Sequence, residues 1–173
     1  MLLFRGDGAR GGLQKAAGNT SRDIIRGDKH TVLVLCPEKE YHELGARMVT
    51  DFFLLNGWNA HFAGANTPRD QIRSAVLAEH PAIVAVSVSD FYNLVEAQKA
   101  IEGIRALLAE QGWTDTRIYV GGGAFSHNPD MSRQLGADGL LTTWEDIRAL
   151  SPWTTEPRAI EEDEAPVKGG ATP

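Results

Sequence analysis

Two uninterrupted apolar runs constrain the fold most: "TVLVLC" at 31 to 36 and "AIVAVSV" at 82 to 88, each followed by a longer amphipathic stretch. A strand with one wet face alternates apolar and polar residues. A run that is apolar at every position suits a strand buried on both faces, as in the middle of a parallel sheet covered by helices. The alternation of short β-branched run and amphipathic run occurs five times from residue 31 onward. The expected architecture is therefore α/β: a flavodoxin-like (βα)5 doubly wound parallel sheet, Rossmann-like, with strand order 2-1-3-4-5.

The first helix is expected within "LGARMVTDFFLLNG", with Leu44, Met48, Val49, Phe52, Phe53 and Leu55 largely on one stripe and Asn56-Gly57 as the stop. "WNAHFAG" alternates as strand 2. Thr67 is the expected N-cap and Pro68 the first helical residue of "RDQIRSAVLAEH". Leu94, Ala97, Ile101, Ile104, Leu107 and Leu108 recur at helical spacing in a longer helix. "RIYVGG", "PDMSRQLGA", "DGLLTT" and "WEDIRALS" supply strand 4, a short helix, strand 5 and the last helix.

Residues 1–29 are rich in Gly, Arg and Asp without period, and 153–173 combine Pro, Gly and acidic residues. Neither stretch can bury enough apolar surface to fold alone, so a flexible arm and an acidic tail are expected around one domain at 30–152. No apolar run approaches the length of a membrane helix. The apolar opening "MLLF" is too short for a secretory segment, which makes the cytoplasm the expected compartment. Seventeen basic against 23 acidic residues give a net charge of -6, which opposes direct nucleic-acid binding. The single cysteine, Cys36, lies in an apolar run and reads as a buried thiol without chemistry.

In such a fold the loops after strands 1, 3, 4 and 5 carry the function. Loop 1 holds "PEKEYHELG", strand 3 ends in "SVSDFYN", strand 4 in Gly121-Gly122-Gly123 and strand 5 in Thr142-Thr143. The glycines permit positive φ and close approach of a ligand, while the common nucleotide cradles are missing. Glu40-x-His42 is more informative. A carboxylate two residues from an imidazole can accept one ring N–H, fix the tautomer and leave the other nitrogen as a metal ligand. With no second His or Cys at ligand spacing a tetrahedral zinc site is disfavoured, and the open alternatives are an exposed loop histidine or a single protein ligand to a macrocycle-bound metal.

These residues resemble the cobalamin-binding domain family, whose fingerprint is D-x-H-x-x-G, about forty-one residues, S-x-L, and later G-G. Here "EYHELG" at 40 to 45 supplies the first element, forty-one residues separate Gly45 from Ser87, Ser87-Val88-Ser89 supplies the second and Gly121-Gly122 the third. Glu40 stands where the family more often has Asp, and Ser89 where it has Leu. The resemblance implies that His42 is the lower axial cobalt ligand, held by Glu40, and that Gly45 leaves room for the dimethylbenzimidazole tail. It further implies that Ser87 contacts that tail and that Gly121, Gly122 and Gly123 flank the nucleotide loop. Tyr41, Ser89, Asn93 and Thr142, on the same loops, are counted with the cofactor-binding residues, Ser89 placing a hydroxyl where an apolar contact is expected and Asn93 being a candidate partner for Glu40. The cofactor would be adenosylcobalamin, or methyl- or hydroxocobalamin.

Corrinoid carriers and mutases usually read D-x-H-D-I-G-K-N, whereas "EYHELGARMV" followed by "GWNAHFAGANTP" looks like the version in B12-dependent photoreceptors and transcriptional regulators. The resemblance thus implies a light- or B12-responsive module without catalytic residues, acting through a regulatory protein partner or a helical cap domain. Two alternatives follow from related families: a corrinoid carrier of a methyltransferase or mutase, and a sensor domain that binds heme through the same histidine. His61, His80, Trp58, Trp113 and Trp144 read as surface or packing residues, and His127 as a possible neighbour of the nucleotide loop.

Overall fold

The computed structural model describes residues 30–151, so the arm at 1–29 and the tail at 153–173 lie outside the described residues. Five parallel strands, β1 (Thr31–Pro37), β2 (Asn59–Thr67), β3 (Ile83–Ser87), β4 (Arg117–Gly121) and β5 (Gly139–Leu141), form one sheet in the order β2-β1-β3-β4-β5. This is the order expected from the alternation of elements. The helices are α1 (Glu43–Leu55), α2 (Arg69–Glu79), α3 (Leu94–Gln111), α4 (Met131–Gln134) and α5 (Trp144–Ala149).

The period of two along each strand divides the core into two layers. Leu33, Leu35, Val84, Val86, Ile118 and Val120 pack against α2 and α3. Val32, Val34, Cys36, Ile83 and Ala85 face the other way, against Ala46 and Phe53 of α1 and Ile147 of α5. All seven residues of β1 are buried, which is why that run shows no alternation. The stripe read for α3 is buried throughout, and each fully buried Leu or Ile there contributes about 1.5–3 kcal/mol.

Two local expectations differ from the structure. Thr67 ends β2 and its hydroxyl donates to Gly64 O at 2.9 Å, so it caps nothing; Pro68, in extended conformation, occupies the N-cap position instead. In α1 the buried residues are Ala46, Thr50 and Phe53, while Leu44 is 74% and Leu55 76% exposed. The face of the helix that meets the sheet is the Ala46–Thr50–Phe53 line, with Val49 and Phe52 partly buried beside it, so Leu44 and Leu55 at the two ends turn outward.

The layer under α1 and α5 is thin at the carboxyl end of the sheet. Ala85 and Ser87 of β3 and Gly121 of β4 present small groups there, with Ser87 in register with Gly121. α5 has six residues and β5 three, too short to close that end. A cleft lies at that end, lined by residues of α1, α5 and the ends of β3, β4 and β5.

Candidate functional site

The site begins where β1 stops. Glu40 N–H donates to Pro37 O at 3.0 Å, closing a tight turn, and Lys39 within it has φ +67°. The chain leaves this turn through Tyr41 and His42 and enters α1, with His42 at the N-cap position. The turn points Glu40 inward and His42 outward, although only Tyr41 separates them.

Glu40 is fully buried and its carboxylate accepts five hydrogen bonds. Oε1 receives His42 N–H at 2.9 Å and lies 2.7 Å from His42 Nδ1. Oε2 receives the N–H groups of Ser89 at 2.9 Å and Asp90 at 3.1 Å, and the Asn93 amide at 3.1 Å. Burial opposes ionisation, but the donors from His42, Asp90 and Asn93 outweigh it and hold the carboxyl at about 2. An ionised carboxylate can only accept, so it assigns the ring proton to Nδ1 and leaves the Nε2 lone pair free. The His42 side chain is 68% exposed, so that lone pair can reach a ligand.

Cys36 lies directly beneath, its thiol 3.8 Å from His42 O. Burial, with the Glu40 and Glu43 carboxylates adding to it, pushes the thiol up to about 12, so it stays protonated and is no rival as a metal ligand. Among the described residues no group of three or more His, Cys, Asp or Glu side chains could hold a metal ion. His42 therefore offers one coordination position and nothing else nearby completes a shell.

Beside this loop a cleft of about 420 Å³ runs between α1, α5 and the ends of β3, β4 and β5. Its inner wall is apolar, with Val34, Ala85, Val49, Phe52 and Ile147, and its mouth carries Ser87, Ser89, Ser126, Thr142 and Thr143. Gly45 opens into it: a Cβ there would meet no atom within 4 Å. A glycine inside a helix costs about 0.5–1 kcal/mol relative to alanine, and here no protein neighbour requires it. At the far wall Gly122 has φ +107°, and a Cβ on it would collide with Val88 O. The β3 and β4 loops are laced at that point by Val88 N–H to Gly121 O and Ala124 N–H to Val88 O.

The structure thus brings Gly45, Ser87, Ser89, Gly121, Gly122, Gly123 and Thr142 to one cleft. It gathers Glu40, His42 and Asn93 into a single hydrogen-bonded group at the cleft's side. Tyr41 is 67% exposed next to His42 and does not line the cleft. His127 is exposed, His61 pairs with Glu79 at 2.8 Å, and His80 stacks on Trp113 with centroids 3.6 Å apart. Trp58 packs edge-on against Phe53.

Trp144 was expected only to pack. It does pack, edge-on to Phe52 at 5.1 Å, and it also lines the cleft together with Val49, Phe52, Thr143 and Ile147, which the sequence reading did not assign to the site. The available signal was the capping sequence Thr143-x-x-Asp146. The Thr143 hydroxyl accepts from Asp146 N–H, and Asp146 in turn accepts from Thr142 and Thr143 N–H at 2.8 Å each. That box fixes the start of α5 and swings Trp144 against the cleft.

A family model described as the B12 binding domain matches residues 30–149. No curated protein matches the chain. A solved cobalamin-binding protein of Desulfitobacterium hafniense DCB-2 superposes with a TM-score of 0.60 at 20% identity, over 74% of this chain and 60% of that one. A methanol:cobalamin methyltransferase complex of Methanosarcina barkeri gives 0.58 at 24% identity, over 70% and 44%. The monomethylamine corrinoid protein of the same organism gives 0.58 at 16%, over 72% and 57%. The chain spans less than two thirds of the length of each.

Proposed function

The chain belongs to the B12 binding domain family, and from that premise we propose that it holds cobalamin with His42 as the lower axial cobalt ligand and acts as a sensor or regulatory module through a partner protein. The residues present suit such a cofactor. A slot with an apolar wall and a polar mouth lies beside the histidine, and the open space at Gly45 is unclaimed by protein. A benzimidazole nucleotide tail supplies both characters, and heme, having no such tail, would leave the slot unfilled.

The observation that carries the reading is the Glu40–His42 pair. A buried carboxylate fixes Nδ1–H and leaves the Nε2 lone pair free on an exposed ring. Gly45, Ser87, Ser89 and Thr142 would receive the tail, and Gly121, Gly122 and Gly123 would let the nucleotide loop pass close to the backbone. When bound, cobalamin supplies a cobalt–carbon bond that light or a nucleophile can break. Reconstitution with hydroxo- and adenosylcobalamin beside His42→Ala tests this. The wild-type chain should retain corrinoid with a nitrogen ligand to cobalt that the variant lacks. Failure to retain corrinoid, or an unchanged axial signature in the variant, overturns it.

The sensing role rests on "HELGAR" in place of H-D-I-G-K-N and on exposed apolar residues around the histidine loop. Tyr41, Leu44, Phe91, Tyr92 and Val95 are each more than half exposed. Such a collar favours a protein partner, as the net charge of -6 does over nucleic acid. A second reading, a corrinoid carrier, draws on the methanol:cobalamin methyltransferase complex and the monomethylamine corrinoid protein that share the fold. Illumination of the adenosylcobalamin-loaded chain separates the two. A light-dependent change in spectrum and partner binding supports sensing, whereas methyl transfer from the methylcobalamin form to a thiol supports the carrier.

A further inference from the structure

Loop 1 carries an ion pair that the binding of cobalamin does not by itself explain. Lys39 Nζ lies 2.8 Å from Glu96 Oε1, across 57 residues of sequence, and Lys99 Nζ approaches the same oxygen at 3.2 Å. The Glu96 side chain is 9% exposed, in the first turn of α3. Lys39 is mostly exposed, yet its backbone has φ +67°, a conformation that glycine adopts without strain and a lysine does not. Its N–H donates to Asn66 Oδ1 at 2.8 Å, and Asn66, itself at φ +48°, donates its own N–H to Glu40 O at 2.7 Å. The residue before Glu40 is therefore held at both ends, by β2 through its backbone and by α3 through its side chain.

Strained residues persist where their surroundings over-determine them. Glycine at position 39 would relieve the φ angle, but it would also remove the side chain that reaches Glu96 on α3. The pair is electrostatically favourable in both directions: Glu96 holds the Lys39 ammonium above its ordinary range, and Lys39 and then Lys99 hold Glu96 below its own. Lys99 lies on α3 itself and pins Glu96 whether or not Lys39 is present.

We propose that Lys39, anchored on Glu96, is a positioning residue for His42: the strut fixes the pitch of loop 1 relative to α3, and so the direction in which the Glu40-held imidazole faces. Asn93 and the Ser89–Asp90 turn just before α3 bond Glu40 from the same side, so the strut and the carboxylate tie loop 1 to one rigid body. This rests on the reading of His42 as the lower ligand, but the placement of the ring is a property of the unloaded chain.

The test compares Lys39→Met, Lys39→Arg and Lys99→Met in the full chain. In the unloaded protein the NMR signal of the His42 Nδ1–H reports the ring's hold on Glu40. Lys39→Met should speed exchange of that proton about tenfold, the effect of a modest loss of hold on the loop, while Lys39→Arg restores it and Lys99→Met leaves it unchanged. On loading with hydroxocobalamin, Lys39→Met should show a smaller histidine-ligated fraction at an unaltered melting temperature. Unchanged exchange in Lys39→Met, or an equal effect from Lys99→Met, overturns the strut. If exchange responds as expected and His42→Ala leaves the cobalt spectrum unaltered, the ligand reading fails while the strut stands.

Discussion

His42 Nδ1 and Glu40 Oε1 lie 2.7 Å apart, with the carboxylate fully buried and the ring 68% exposed. One member of the pair is thus committed to the protein and the other to what lies outside it. Because the same carboxylate takes N–H groups from Ser89 and Asp90, it also joins the β1 and β3 loops.

Glu40→Gln should therefore cost more than a loop substitution usually does. The amide has a single acceptor oxygen and would turn an NH₂ towards groups that are themselves donors, leaving buried N–H groups unmatched. A loss of about 2–4 kcal/mol is expected, read by urea unfolding of the unloaded chain. A loss under about 0.5 kcal/mol, the level of an ordinary surface change, would contradict the role of Glu40 as a hub.

The same group sets an acid limit. The Glu40 carboxyl stands at about 2 in the folded chain against an ordinary 4.5. Between those values the unfolded chain binds a proton that the folded one does not, so stability rises with pH. The contribution is complete above about 4.5 and lost as pH falls towards 2. Thermal melts across that window should show a shallower slope in Glu40→Gln than in the wild type; parallel slopes would assign the acid transition to other carboxylates.

Gly45→Ala should act in opposite directions on the two states. The Cβ meets nothing within 4 Å in the protein, and helix propensity favours alanine, so the unloaded chain should gain up to about 1 kcal/mol. The methyl group enters the cleft, so cobalamin retention should fall. A variant that is more stable and binds equally well would show that the tail does not pass Gly45.

Gly122→Ala should destabilise in both states. The residue combines φ +107° with a Cβ position that collides with Val88 O, and the β3–β4 lacing prevents relaxation. A loss of at least about 2 kcal/mol is expected in denaturant titration. Gly123→Ala is the control: its Cβ would sit 3.2 Å from Ser89 O, a contact that a small shift relieves.

Much of this molecule was legible in the sequence because it depends on short-range pattern. Apolar runs buried on both faces marked β1 and β3, helical spacing marked α3, and strand ends located Glu40, His42, Ser87 and Gly121 through Gly123. Asn93, read from the sequence only as a candidate partner for Glu40, does bond it, at 3.1 Å. What the pattern could not supply was which apolar stripe of a helix meets its neighbour. The stripe of α1 is broader than its contact with the sheet, so Leu44 and Leu55 face outward and Ala46 and Thr50 inward. The cleft wall of Trp144, Phe52 and Ile147, the five-donor carboxylate of Glu40 and the Lys39–Glu96 pair were equally hidden. Each joins residues far apart in the chain, and the distance between them is set only when the register of five strands and the pitch of the covering helices are fixed together. The sequence by itself determined the sheet and the residues at its carboxyl end; the packed structure decided which of them touch, and which side of the histidine is left open.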